Sequence, residues 1–223
     1  LAASVKYVAD VQRELNFAII ARADAERRRA QAEALIGFMV GVLRRKLEPV
    51  GRLDVLDDVG AQALRYFRSL RPDEISPEEL RRNAKTLSQL GEVRIAQGNL
   101  KAAEEVLQSS LSLAAAAARR DPADGRNQLE LGASRFWMGS LRRQQGDLGG
   151  ALDYYGEYLR ISEALAAAEP RNAEYQLEVG YGHSNVGTIL EQRGDLEGAL
   201  QHFRQAVAIK ERRLQSDSGR ADW

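Results

Sequence analysis

Arg142-Arg143-Gln144-Gln145-Gly146-Asp147-Leu148-Gly149-Gly150-Ala151 decides the fold, because the chain writes it three times. Ala96-Gln97-Gly98-Asn99-Leu100-Lys101-Ala102-Ala103 lies 48 positions before it, and Gln192-Arg193-Gly194-Asp195-Leu196-Glu197-Gly198-Ala199 lies 48 positions after it. Each copy reads as the end of one helix, a tight turn and the start of the next. The Gly supplies a left-handed residue without a Cβ clash. The Asn or Asp behind it caps the free N–H groups of the following helix. A fixed period of this size is the mark of stacked structural units.

Further columns fall into the same register. Gly91, Gly139 and Gly187 stand inside the first helix of each copy. A helix-interior Gly costs about 1 kcal/mol relative to Ala, so three in register predict that two helix backbones approach closely there. Ala103, Ala151 and Ala199 form a small-residue column on the facing helix, and Leu100/Leu148/Leu196, Leu107/Tyr155/Phe203 and Leu111/Leu159/Val207 give it an apolar stripe. Pro122 and Pro170 mark the joints between copies, with Ser218 in the same column.

This pattern resembles the tetratricopeptide repeat: Leu90-Gly91, Met138-Gly139 and Val186-Gly187 in the first helix, Gly-Asn/Asp-Leu at the turn, then Ala and Leu107/Tyr155/Phe203 in the second. The resemblance covers residues 77–217. The unit is longer than the family's usual ~34 residues, so each helix is expected to run one to two turns further. The large aromatic usual near the start of the first helix is replaced by Leu87, Arg135 and His183. The resemblance implies an all-α, right-handed superhelical stack of antiparallel helix pairs, an α-solenoid, here preceded by a long N-terminal helix. Helices are expected near 4–47, 52–70, 77–97, 100–119, 125–145, 148–168, 173–193 and 196–215.

The N-terminal part divides in two. Val5, Val8, Val11, Leu15 and Ile19 make one apolar stripe, and Leu35, Phe38, Met39, Val42, Leu43 and Leu47 a second. The charged run Arg22–Arg29 between them reads either as a solvated helix middle or as a basic surface patch. A kink is placed near Gly37 or Gly41. Residues 1–31 are therefore a helical extension, and 32–76 a degenerate pair that caps the stack; Val50–Leu56 echoes the later turns. Ser76-Pro77-Glu78-Glu79 is a capping box with Pro at the first helical position. It opens three repeats, 77–122, 123–170 and 171–217, and the resemblance of 217–223 to 169–175 implies the start of a fourth. The helix before it is then expected to expose an apolar face.

Lys+Arg and Asp+Glu balance at 32 each, so no global field draws nucleic acid or an anionic membrane. Cysteine is absent, which fits a reducing, cytoplasmic setting. No stretch approaches the ~18 apolar residues that span a bilayer. His183 and His202 lie on different helices without a second His at helical spacing, so no metal site is expected. No Gly-rich phosphate loop and no nucleophile–base arrangement is written. The expectation is a chain without catalytic, cofactor or metal residues.

What remains is surface. In the family, the first helix of each pair lines a groove that takes an extended or helical peptide. The matching positions are Lys85, Ser88, Glu92 and Ile95; Ala133, Phe136, Ser140 and Arg143; and Tyr181, Ser184, Thr188 and Glu191. With one Lys and no Asn among them, a clamp for a C-terminal carboxylate is not expected. Phe136, Tyr181 and Arg143 are residue types that anchor interfaces, or the two rings pack between neighbouring helices. Residues 30–57 also resemble the segment preceding long-period arrays in large bacterial signalling proteins, whose effectors are of kinase, TIR, caspase-like or STAND NTPase kind. Two readings follow. One is a non-catalytic interaction and scaffolding module, part of a larger protein, that binds a protein, a peptide or another domain of its own chain. The other is an arm whose N-terminal helix self-associates into a homo-oligomer or relays a state to an effector.

Overall fold

The computed structural model describes residues 2–43, 49 and 56–218. These form eight α-helices and, among the described residues, no strand. They are α1 (Ala2–Phe38), α2 (Leu56–Ser69), α3 (Pro77–Ala96), α4 (Leu100–Arg120), α5 (Gly125–Gln144), α6 (Leu148–Ala168), α7 (Ala173–Gln192) and α8 (Leu196–Ser218). Each helix from Pro77 onward begins at the residue the sequence reading places first, because its start is written in local chemistry. Ser76 accepts from the Glu79 N–H while Glu79 accepts from the Ser76 N–H, completing the capping box ahead of Pro77. Asn99 and Asp147 accept from the Ala102 and Gly150 N–H groups, and Asp195 from that of Gly198. Gly98, Gly146 and Gly194 have φ of 74°, 80° and 85°, and no other described residue has a positive φ. Each turn therefore ends one helix with a left-handed residue and starts the next with a side-chain cap.

So short a turn folds α3 back on α4, α5 on α6 and α7 on α8, and the pairs then stack, α4 against α5 and α6 against α7. Ala103, Ala151 and Ala199 are buried where the paired helices cross. At the glycine column the nearest atoms are those of a facing side chain. A Cβ on Gly91 would collide with the Leu107 side chain; on Gly139 or Gly187 it would lie 2.8 Å from the Tyr155 or Phe203 ring. The Leu107/Tyr155/Phe203 column fits into the notch that the glycines leave. Buried apolar side chains fill the stack along its length, from Phe67, Leu80 and Leu87 to Val186, Ile189 and Ile209.

The N-terminal helix departs from its sequence reading. Its α-helical winding stops at Phe38 and passes into a π-helical turn over Met39–Leu43, and the expected continuation to Leu47 lies outside the described residues. The face that packs on the stack carries Glu33, Ile36 and Val40, while Leu35 and Phe38 point to solvent. Polar contacts set this rotation: Arg29 bonds Glu79 at 3.1 Å, and Asn83 donates to Glu33 at 3.0 Å. Burial, its largest influence, holds the Glu33 carboxyl above the usual carboxylate range. The turn-like stretch at 50–55, the start of α2 expected at Arg52 and the last five residues of the expected fourth repeat lie outside the described residues. On α8, Leu196, Leu200 and Val207 are exposed.

Candidate functional site

The expected groove positions divide into those that meet and those that do not. Ala133 and Phe136 on α5, with Tyr181 and Ser184 on α7, line one concave cavity of about 490 Å³. Their spacing explains the meeting. Positions 133 and 136 on one first helix, and 181 and 184 on the next, occupy the same face of successive repeats. Phe136 is held in place by aromatic packing, edge-on to Trp137 and Tyr158 at ring separations of 4.9 and 5.8 Å, and tilted to Tyr155. Tyr181 is 46% exposed. Phe136 packs between helices and still offers surface to the cavity.

Four further residues line the cavity that the sequence reading did not place there: Tyr158 on α6, Glu178 and Asn185 on α7, and Lys210 on α8. Tyr158 donates its hydroxyl proton to Glu178 at 2.5 Å. Burial first, and then the Glu178 carboxylate, keep that phenol protonated far above its ordinary range. Asn185 donates to the Tyr181 carbonyl, and Ser184 to that of Gly180. The Lys210 ammonium stands 5.9 Å from the centre of the Tyr181 ring. Glu178 is one turn before Tyr181, so the helical period could have flagged it. Lys210 sits on a second helix, where no inner-face column pointed.

The remaining expected positions lie apart. Ser88 is only 4% exposed and bonds Ser110 at 2.9 Å. Ser110 also reaches Ser134 and the Ala84 carbonyl, so this hydroxyl chain ties α3, α4 and α5 together inside the stack. Ser140 is buried and Arg143 exposed; burial raises the Tyr155 pKa, and both residues oppose that rise. Thr188 donates to the Ser184 carbonyl within its own helix. Glu92 is half-buried. Lys85 lines a separate recess of about 440 Å³ between α1 and α3, with Ala34, Gly37 and Thr86. On α5, Glu130 is 8% exposed and its Oε1 has no hydrogen-bond partner. Burial lifts its carboxyl to about 7, against the pull of Lys85 and Arg81.

The two histidines meet, which their separation of 19 residues concealed. Their Nδ1 atoms are 3.0 Å apart, and Glu163 lies 3.9 Å from Nε2 of His183. Burial, then His202, lower the His183 pKa. The repeat register carries the signal. The same two columns hold Leu87 and Val106 in the core of the first repeat, and Arg135 over the Tyr154 ring in the second. Among the described residues no group of three or more metal-ligating side chains converges. No helix among them is long and apolar enough to cross a membrane.

Comparison with known proteins gives two findings of likeness. Residues 184–218, which are the second half of α7, the turn at Gly194 and α8, match the tetratricopeptide repeat family model. Solved structures that resemble the chain include MamA, at 15% identity, covering 84% of this chain and 95% of that one, with a TM-score of 0.39. Another is BtubC (BKLC) from P. vanneervenii, at 14% identity, covering 84% and 86%, with a TM-score of 0.41. No curated protein matches the chain.

Proposed function

We propose that this chain is a non-catalytic protein–protein interaction module that holds a peptide segment in the cavity between α5 and α7. The observation that carries the reading is the meeting of Phe136 and Tyr181, from successive repeats, across one 490 Å³ concavity. Rings bury large area at low entropic cost and anchor interfaces. Ser184 and Asn185 sit beside them with polar groups for an extended backbone. The sequence resemblance supports the wider setting: a cytoplasmic, long-period tetratricopeptide array within a larger bacterial signalling protein. In that setting residues 1–31 are an extension, 32–76 a capping pair and 77–223 the repeats. Binders selected from a peptide library on the wild-type chain test the reading. Phe136→Ala or Tyr181→Ala is expected to cost about 2 kcal/mol or more of binding while circular dichroism stays unchanged. Binders that tolerate both changes would remove the cavity as the site.

A second reading rests on α1. Tyr7, Val11, Leu15, Phe17, Ile19 and Ile20 are all exposed, Phe17 by 65%. A helix with apolar residues on all sides is one that another element normally covers. It suits an oligomerisation or relay arm, and light scattering of the wild-type chain beside Leu15→Asp tests it. A dimer abolished by the substitution supports the arm, and a monomer at high concentration contradicts its self-association.

A further inference from the structure

We infer that the cavity between α5 and α7 receives a cationic side chain, the Lys or Arg of an extended peptide, and that Lys210 is its internal competitor; this rests on the groove reading above. Three observations converge. The walls are aromatic: Phe136, Tyr158 and Tyr181 contribute rings, whose faces carry the negative part of the ring quadrupole. A carboxylate stands among them, since Glu178 lines the same space and is held there by the Tyr158 hydroxyl. The bond is accepted by Oε2, and a carboxylate has a second oxygen with which to accept from another donor. An ammonium group already occupies part of this environment, because Lys210 places its Nζ 5.9 Å from the Tyr181 centroid.

Rings and a carboxylate together are the chemistry that holds a cation. Glu178 keeps a carboxylate at this wall through its bond with Tyr158, while Lys210 stands over the Tyr181 ring. Lys210 reaches the rim from α8 on a flexible, exposed stem. A peptide cation entering between Glu178 and Tyr181 must displace it or share the ring with it. Tethering gives Lys210 a high effective concentration there, so it lowers the apparent affinity of any cationic ligand. An acidic ligand would be affected in the opposite sense, since it would lose its one counter-charge if Lys210 were removed.

The experiment pans a random peptide library on the full chain and keeps the binders that Tyr181→Ala abolishes, which are those in the groove. The expected result is a position in these peptides enriched in Lys or Arg. For such a peptide, Glu178→Gln should weaken binding roughly tenfold. Lys210→Gln should tighten it roughly threefold or more, while Lys210→Arg should match wild type. Lys210 is exposed, so these variants test competition without disturbing the stack. Groove-directed peptides enriched instead in acidic or uncharged residues would overturn the inference and leave the groove reading standing. So would a Lys210→Gln variant that binds a basic peptide no better. A panning in which no binder depends on Tyr181 would overturn the groove reading itself, and the inference with it.

Discussion

The stack from Pro77 onward and the first half of α1 both carry Val, Leu, Ile and aromatic residues, and they treat them in opposite ways. In the stack, Leu107, Tyr155 and Leu159 are buried against α3, α5 and α7, whereas α1 leaves Leu15, Phe17 and Ile19 in solvent. The difference lies in complementarity and not in hydrophobicity. The second helix of each repeat sets Leu107, Tyr155 or Phe203 into the notch left by Gly91, Gly139 or Gly187 on the helix before it. α1 carries apolar residues on several sides and, up to Ile20, none of those described is buried. An apolar side chain stabilises only when another surface of the same period removes it from water.

The hardest test of this contrast is to fill a notch. Gly91→Leu places a side chain where Leu107 already sits, and is expected to cost about 3 kcal/mol or more in urea unfolding, with Gly139→Leu similar. An unchanged transition midpoint would show that the notch is not what seats the facing helix.

A charge tests the same interior from the electrostatic side. Glu130 has a folded pKa near 7, raised by burial. The folded chain then holds a proton that the unfolded chain gives up from about pH 4.5. Stability due to this group therefore falls as pH rises from about 4.5 to 7 and levels off above that. Glu130→Gln removes the dependence and is expected to stabilise the chain by about 2 kcal/mol at pH 8, with little effect at pH 4. A gain that is equal at both pH values would contradict a buried carboxyl. Smaller again is the hydroxyl chain: Ser110→Ala strips partners from Ser88 and Ser134 and should cost between about 1 and 2 kcal/mol.

The smallest expected effect belongs to α1. Leu15→Asp should change unfolding stability by less than about 0.5 kcal/mol in the monomer, because the side chain is already in water. A loss comparable to that of Gly91→Leu would mean that α1 is covered in solution.

The contrast also explains what could be read from the residues alone. Helix starts at Pro77, Leu100, Leu148 and Leu196 were legible because caps and left-handed glycines act within a few residues. The meeting of Phe136 with Tyr181 was legible because the repeat register turns sequence spacing into position. The rotation of α1 was not, since Arg29–Glu79 and Asn83–Glu33 link residues 50 positions apart and bury a carboxyl that any pattern would assign to solvent. Ser88 reads as a surface position for the related reason that a buried Ser needs a partner, and its partner, Ser110, lies on another helix. Lys210 and the His183–His202 pair required columns on facing helices to be compared as pairs, which periodicity along one helix does not do.

Hydrogen exchange on the chain, free and saturated with a library-selected peptide, tests the central claim most directly. Exchange slows where a bound segment excludes water and steadies local opening. The account predicts added protection in α5 around Ala133–Ser140 and in α7 around Glu178–Thr188, with α1 from Ala2 to Arg28 unchanged. Protection confined to α1, with both repeat segments exchanging as in the free chain, would contradict it.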